Sequence, residues 1–311
     1  MTFTVPIPHG DPASYATTHR RILVVFNPTA GRRRRPRLDA VVAALRARGC
    51  IVTVMETMAP GHASDIARAV TQTTGDQAMD VIAVAGGDGT INEVVNGLVG
   101  TTVALGVIPL GTANVLADEI GLPRAPKDVA RILAEGPVRP IRVGIANGRR
   151  FVMMAGAGFD ASVVDSVSLS LKRRLGPLAY VWQTLKRAFT DTYAACEVMV
   201  DGVPYRTVSA VVCNGRHYGG PFVAARSATL TDGLLHVILL QGRGWLSVAR
   251  YGLALLMGRL DRLSDVRFVS GRHVVVSSGG HLPVQADGDI ITTLPADVTV
   301  DPAPVALVWP R

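Results

Sequence analysis

At 311 residues the chain is long for one domain and comfortable for two, taking about 150 residues as a unit. Its composition, 48% apolar and only 18% charged, excludes a disordered protein, which needs low hydrophobicity and high net charge. The net charge of +8, carried by 29 arginines among 32 cations, suits phosphate or an anionic membrane surface and selects neither, while three widely spaced cysteines (Cys50, Cys196, Cys213) argue against a disulfide framework or zinc ribbon and fit a reducing compartment.

Residues 1–20 have neither a basic start nor the apolar stretch of a secretory signal, and read as a flexible tail. Arg21–Asn27 is a continuous β-branched run, as expected of a parallel strand buried on both faces. Asn-Pro-Thr-Ala-Gly (27–31) breaks it. Pro36–Arg48 then repeats apolar residues at Leu38, Val41, Val42 and Leu45, a helical period stopped by Gly49. Ile51–Glu56 is a second strand, Ser64–Val70 a second helix with Ser64 as its cap, and Asp80–Ala85 a third strand. Thr90–Val99 is a third helix, Val103–Pro109 a fourth strand and Ala113–Ile120 a fourth helix, closed by Gly121 and Pro123. Such alternation implies a three-layer α/β domain with a parallel sheet over residues 21–135.

Beyond about residue 140 strand-like runs follow one another: Phe151–Ala155, Ala195–Val200, Thr207–Cys213, Leu234–Leu240, Val266–Phe268, His273–Ser277 and Pro283–Ala286. Asp201-Gly202 and Ser278-Gly279-Gly280 are hairpin-type turn signals, and helical stretches interrupt near Leu169–Phe189 and Trp245–Leu260. Residues 136–311 therefore read as a β-rich, sandwich-like second domain whose last segment is free to return to the first. The longest apolar runs, such as Tyr251–Met257, fall far short of the roughly 20 residues that cross a bilayer, so a soluble cytoplasmic protein is expected.

The most informative residues are Gly86-Gly87-Asp88-Gly89-Thr90, directly after the third strand and opening the third helix. Glycines let the backbone approach a phosphate, and the free N–H groups and dipole of a helix start attract it. Asp88 is suited to orient metal-bound water or the nucleotide, and Thr90-x-x-Glu93 has the form of a capping box. The alternative is a tight strand-to-helix turn without a ligand. Two further loops, 27–31 and Pro109–Asn114, end neighbouring strands, and ligands of open parallel sheets bind at that rim. Arg32–Arg35 sits on the same rim, either to meet phosphate or lipid headgroups or as a solvated basic turn. No Walker A sequence occurs.

Together NPTAG (27–31), PGHASDIA (60–67), GGDGTINEVVNGL (86–98) and PLGTANVLADEIGLP (109–123) resemble the diacylglycerol kinase catalytic domain, in the bacterial lipid-kinase branch related to sphingosine and ceramide kinases. The resemblance continues at AGAGFDA (155–161), CNGRHYGGPF (213–222), TLTDGLLHV (229–237) and QADGD (285–289). It implies a nucleotide, ATP, lying against Asn27, Thr57, the stretch Gly86, Gly87, Asp88, Gly89, Thr90, Ile91 and Asn92, and Thr112. It implies Asp287 as the general base on a lipid hydroxyl, and Asp232 as a magnesium (Mg2+) ligand with the backbone carbonyls of Thr229 and Leu234. Without the resemblance, Asp232-Gly233 and Asp287-Gly288 are ordinary turns. Two positions depart from the pattern. Val115 replaces an aspartate found after GTAN in many relatives, leaving Asp118 to complete that acidic network, and Asp289 replaces a glutamate.

Gly156–Ala161 satisfies a GxGxxG/A dinucleotide fingerprint, but no acid follows about 20 residues on, which argues against that site. The stretch 171–190 mixes Lys172, Arg173, Arg174, Lys186 and Arg187 with Leu175, Tyr180, Trp182, Leu185 and Phe189. It suits peripheral contact with an anionic membrane at the inner face, or else a helical pair with solvated charges. Met153-Met154 reads as core and the seven histidines show no metal spacing. Nucleic acid is not expected, since aromatics are 5% and no recognition motif appears. A homodimer is compatible with the sequence. The rival readings are a NAD kinase-like enzyme, which shares a GGDGT-type loop, and a pseudokinase that binds nucleotide or lipid.

Overall fold

Four β-branched segments form the parallel part of the first sheet: β1 (Arg21–Phe26), β2 (Ile51–Glu56), β3 (Val81–Gly86) and β4 (Ala104–Pro109), in the order β2-β1-β3-β4. The computed structural model describes residues 20–29, 34–158, 161, 195–280 and 282–311. The interior strands β3 and β4 are buried at every residue, whereas β2 is largely exposed because it forms the edge. Helices α1 (Arg34–Arg46), α2 (His62–Thr71), α3 (Asp88–Gly97), the short α4 (Val115–Glu119) and α5 (Pro126–Glu135) complete this part. α1 buries Leu38, Val41, Val42 and Leu45, the four positions of its apolar period. It packs on α5, and α2 packs on α3.

Some local signals resolve differently from the sequence reading. The cap of α2 is Gly61 in the left-handed region, not Ser64. No side-chain capping bond is made at the start of α3 either. Thr90 Oγ1 accepts from Asn27, and Glu93 turns away to accept from the Ala63 N–H at 3.2 Å, serving the first turn of α2. α5 carries a proline in its first turn and stops at Gly136, an element absent from the sequence reading above.

The last segment of the chain returns to close the first sheet. β5 (Val138–Ile141) is its far edge, and the slot between β4 and β5 is filled by β20 (Val305–Val308), parallel to β4 and antiparallel to β5. Between them the chain builds a sandwich of two six-stranded sheets. One has the order β10-β9-β16-β19-β6-β7, the other β15-β14-β11-β8-β17-β18. Their strands are β6 (Gly144–Ala146), β7 (Arg149–Phe151), β8 (Met154–Gly158), β9 (Cys196–Val200), β10 (Val203–Thr207), β11 (Ser209–Cys213), β14 (Leu235–Leu240), β15 (Val266–Gly271), β16 (His273–Ser278), β17 (Pro283–Ala286), β18 (Asp289–Thr293) and β19 (Ala296–Val300). A small hairpin of β12 (His217–Tyr218) and β13 (Phe222–Val223) and a helix α6 (Gly244–Leu256) lie outside the sandwich. Asp201-Gly202 is a two-residue hairpin turn as expected, but Ser278–Gly280 links strands of different sheets. All three cysteines are buried as thiols. The tail 1–20 except Arg20, the helical stretch 169–189 and the basic stretch 171–190 lie outside the described residues, as do Arg32, Arg33, Phe159 and Asp160.

Period-2 alternation decides what each strand buries. Ala210 and Val212 of β11, and Leu235, Val237 and Leu239 of β14, face the sandwich core, while Val211, Cys213 and Ile238 join the core that contains the first sheet. One apolar core thus runs from the parallel sheet to the outer face of this sandwich sheet, and a second fills the sandwich interior. A buried ion pair reinforces the junction: Arg150 Nε donates to Asp301 Oδ2 at 2.5 Å, with side chains 8% and 6% exposed. The same guanidinium donates to the Leu98 and Val95 carbonyls at the end of α3, at 3.1 and 3.3 Å, groups that no intrahelical N–H reaches. Removing one partner leaves an uncompensated buried charge. Asp301→Ala is expected to cost about 3–5 kcal/mol, read as a fall in melting temperature, and Arg150→Met/Asp301→Leu to recover much of it; an unchanged Asp301→Ala melting temperature would contradict this account.

Candidate active site

The strand ends of the first sheet bring the glycine-rich loops together. The chain turns at Gly86-Gly87 from β3 into α3, and β4 ends beside it at Pro109, so Gly111 meets Gly87 backbone to backbone. A Cβ on Gly111 would sit 2.4 Å from Gly87 Cα, and one on Gly86 would sit 2.9 Å from Thr90 Cβ. Both the Leu110 and Gly111 N–H groups donate to Gly86 O at 3.0 Å. Asn114, at φ 52°, closes the second loop by bonding Gly111 N and O through its side chain, each at 2.8 Å. Glycine is therefore required by contact between the loops, and the first-turn N–H groups of α3 stay open to an anion.

Asn27 and Thr57 follow β1 and β2 on the same rim. Asn27 Nδ2 donates to Thr90 Oγ1 at 2.9 Å, and Asn27 Oδ1 accepts from the Thr29 N–H and hydroxyl, both at 2.9 Å. The Thr57 N–H is held by Phe26 O at 2.8 Å, and Thr112 is exposed at its loop tip. Within the expected nucleotide set Gly86, Thr90, Ile91 and Asn92 are buried, the last two at 2% and 1% exposure, so these residues support the site from behind. On the basic rim, Arg34 donates to Pro28 O, and Arg35 pairs with Glu56 at 2.6 Å and Asp39 at 3.2 Å.

Asp287 is brought to this rim by the sandwich. Asp287 (φ 48°) and Gly288 (φ 86°) form the two-residue turn of the β17–β18 hairpin. Such a turn needs positive φ at both positions, which aspartate and glycine tolerate. Its carboxylate is enclosed by four donors. Oδ2 accepts from Val152 N at 2.6 Å and Asn92 Nδ2 at 2.8 Å; Oδ1 accepts from Met153 N at 2.9 Å and Met154 N at 3.1 Å. Asn92 in turn donates to Arg150 O at 2.9 Å, so α3 is stitched to the sandwich at the aspartate itself. Burial pushes the Asp287 carboxyl up from its ordinary range, against the pull of these four donors.

Asp88, the first residue of α3, is its electrostatic neighbour. Burial first, and then the charge of Asp287, raise the Asp88 carboxyl to about 6, while the Leu116 and Val115 N–H groups work in the opposite direction. Asp289 completes the acidic rim: its Oδ2 lies 3.4 Å from where a Cβ on Gly89 would be. Val115 is buried, and Asp118 pairs with Arg124 rather than completing an acidic network. A hard cation held by one carboxylate and by substrate phosphates fits the oxygen donors of Asp289.

The other expected metal residues lie apart, in the β14 lead-in. Asp232 Oδ2 is 3.0 Å from His236 Nε2 and its Oδ1 accepts from Leu234 N at 3.0 Å, while Thr229 Oγ1 lies 3.3 Å from Thr231 Oγ1. Asp232 lines an open cleft of about 420 Å³ with Arg142, Arg272 and Asp301. Among the described residues no group of three or more His, Cys, Asp or Glu side chains could hold a metal ion, and no helix is long and apolar enough to cross a membrane. The dinucleotide-like glycines 156 and 158 are spent within β8: a Cβ on Gly158 would meet Val208 O at 2.6 Å.

Sequence reading missed Glu119. It is 5% exposed, and its Oε2 accepts from Arg216 N at 3.1 Å and His217 N at 3.0 Å and lies 2.6 Å from His217 Nδ1. This carboxylate joins α4 to the β12–β13 hairpin. Its only sequence signal was a charged residue at a core-facing position of a helix.

Residues 21–146 match the diacylglycerol kinase catalytic domain, and residues 153–309 match the YegS C-terminal NAD kinase beta sandwich-like domain. The chain is 29% identical over 286 residues to the diacylglycerol kinase of Bacillus subtilis (strain 168), covering 89% of this chain and 92% of that one. It is 33% identical over 212 residues to a YegS-like probable lipid kinase of Klebsiella pneumoniae (strain 342), covering 67% and 70%. A solved structure of a diacylglycerol kinase from Bacillus anthracis str. Sterne shares the fold, with a TM-score of 0.72 at 20% identity over 95% of this chain and 98% of its own. Matched in both halves and in the same order, the protein belongs to the bacterial diacylglycerol kinase family that includes the YegS-like lipid kinases.

Proposed function

We propose that the protein transfers the γ-phosphoryl group of ATP to a hydroxyl of a membrane lipid, diacylglycerol or a similar alcohol, at the inner face of the cytoplasmic membrane. The observation that carries this reading is the meeting of Asp287, from the sandwich, with Asp88 and the glycine loops of the first sheet. Phosphoryl transfer asks for positioned reactants and neutralised phosphate oxygens rather than a covalent nucleophile. The open N–H groups at the start of α3 and the hydroxyl of Thr112 suit ATP phosphates. Magnesium, when bound, would neutralise charge on those phosphates, with Asp289 as its carboxylate. A second magnesium at Asp232, Thr229 and Leu234 has weaker support, because both Asp232 oxygens already have partners.

In the transfer, the lipid oxygen bonds to the γ-phosphorus, the bond to the β,γ-bridging oxygen breaks, and ADP leaves. The hydroxyl proton passes to the coupled Asp88–Asp287 pair, with Asp287 as the proposed base and Val152, Met153, Met154 and Asn92 fixing its direction. A second reading makes Asp88 the base, favoured by the filling of Asp287 by four donors and by the rise of Asp88 to about 6. Transfer of labelled phosphate from Mg-ATP to a panel of hydroxylated lipids and to NAD separates the outcomes. Labelled lipid in the wild type, reduced at least about 100-fold in Asp287→Asn with ATP binding intact, is expected. Labelled NAD would overturn the lipid reading, and ATP binding without transfer to any acceptor would leave a binding protein. An active Asp287→Asn beside a dead Asp88→Asn would move the base to Asp88.

Since the proton-accepting pair must be ionised, kcat/KM is expected to fall as pH drops through about 6, the position of Asp88; a profile flat down to pH 5 would contradict its part in the step.

The same shift predicts a stability effect. Folded Asp88 binds its proton more tightly than an exposed aspartate, whose pKa is about 3.9. This carboxyl therefore costs stability as pH climbs from about 4 through about 6, and the cost is fully present above that. Asp88→Asn is expected to stabilise the fold by about 1–2 kcal/mol at pH 8 and to lose this gain near pH 4. Melting curves at the two pH values check it, and a variant less stable at pH 8 would refute the shift.

A further inference from the structure

Helix α6 (Gly244–Leu256) is turned inside out. Its inner face, Tyr251 and Ala254, is buried, whereas Leu246, Leu253, Leu256 and the following Met257 are 65%, 57%, 64% and 51% exposed, and Trp245 is 46% exposed. These positions recur at helical spacing and make one apolar stripe with no carboxylate in the helix. Isolated exposed leucines are ordinary; a contiguous row of them on one helix marks an interaction surface.

The surroundings identify what covers it. The nearby acids are neutralised: Asp265 receives the Tyr251 hydroxyl and Arg250, and Asp261 lies 3.7 Å from Arg226. Arg243, Arg259 and Arg262 flank the stripe, exposed and without an ion-pair partner among the described residues. Counting residues 241–267, five arginines against two aspartates leave +3 around an apolar row. An apolar stripe edged by cations is complementary to a bilayer with anionic headgroups, where side chains enter the acyl boundary and arginines stay at the phosphates.

The helix is also tied to the site. It packs on β13, and the β12–β13 hairpin is joined to α4 through Glu119 and His217, with Gly220 facing Ala113 O of the second glycine loop. A surface holding α6 therefore lies one hairpin from the place where phosphate is transferred. We infer that the exposed face of α6 docks the protein on an anionic membrane, presenting the cleft to lipid in the bilayer; this rests on the lipid-kinase reading for its purpose and on the helix alone for the docking.

Flotation of the full chain with phosphatidylcholine vesicles and with 70:30 phosphatidylcholine:phosphatidylglycerol vesicles tests it. Binding is expected to the anionic vesicles only, to weaken as salt rises, and to fall at least about tenfold in Leu253→Glu/Leu256→Glu. Both leucines are exposed, so the variant keeps its melting temperature. Arg243→Glu/Arg259→Glu is expected to weaken binding without changing the fold. Wild-type binding by the leucine variant overturns the proposal, as does a variant that only converts a dimer to a monomer in sedimentation, which would make the face an interface between copies. Phosphorylation of a short-chain, detergent-dispersed diacylglycerol separates this from the enzymatic reading: loss of vesicle binding with retained dispersed-lipid activity is expected in the leucine variant. Docking without any lipid phosphorylation would sink the kinase reading and leave the docking intact.

Discussion

A single carboxylate holds the two halves of the site in register. Asp287 reaches out of a hairpin of the sandwich and is received by three successive backbone N–H groups of the β7–β8 connection and by Asn92 of α3. A buried anion with fewer donors would protonate or turn away. With four, it is directionally fixed and draws α3, the β7–β8 connection and the β17–β18 hairpin to one point. Asn92 and Asn96 pass that constraint to the Arg150 backbone, whose guanidinium is in turn locked to Asp301. The acidic pair is thus assembled by a polar network inside an otherwise apolar junction, and in such networks every member depends on the others.

That network also explains the perturbed electrostatics. Two aspartates placed close together in a dry site cannot both ionise at ordinary cost, and the structure spends its hydrogen bonds unequally on them. Asp287 receives four donors, while Asp88 keeps weaker backbone contacts and rises to about 6. Burial raises both carboxyls, Asp287 against four donors and Asp88 against fewer, and an acid pair perturbed in this way suits proton transfer.

Much of the first sheet was legible from local pattern. The Leu38, Val41, Val42 and Leu45 period and the β-branched runs at 21, 51, 81 and 104 are interactions with near neighbours in sequence, and their boundaries agree to within two residues. The gathering of Asn27, Thr57 and the glycine loops on one rim followed from the parallel topology. Side-chain partners were not legible. Glu93 reads as half of a capping box and instead serves α2, because its acceptor role was decided by which helix packs alongside. Glu119 looked like one more helix acid and proved to be a buried link to a segment about a hundred residues away. Asp287-Gly288 and Asp232-Gly233 are similar turns in sequence. Only the approach of Val152–Met154 and of α3 distinguishes the enclosed carboxylate from the one on an open cleft.

The position of β20 carries a consequence for how the chain comes to exist. The first sheet leaves a slot between β4 and β5 that is filled by a strand made only after the entire sandwich. While the ribosome is still delivering the sandwich, β4 presents an unpaired edge, the kind of surface that recruits stray strands. The first half therefore cannot reach its native sheet as an early, self-sufficient product. Its completion waits on closure of a very long loop, a slow and entropically costly event. The completed rim of the first sheet and the finished sandwich become available together, so a nascent or truncated chain would not hold the assembled site.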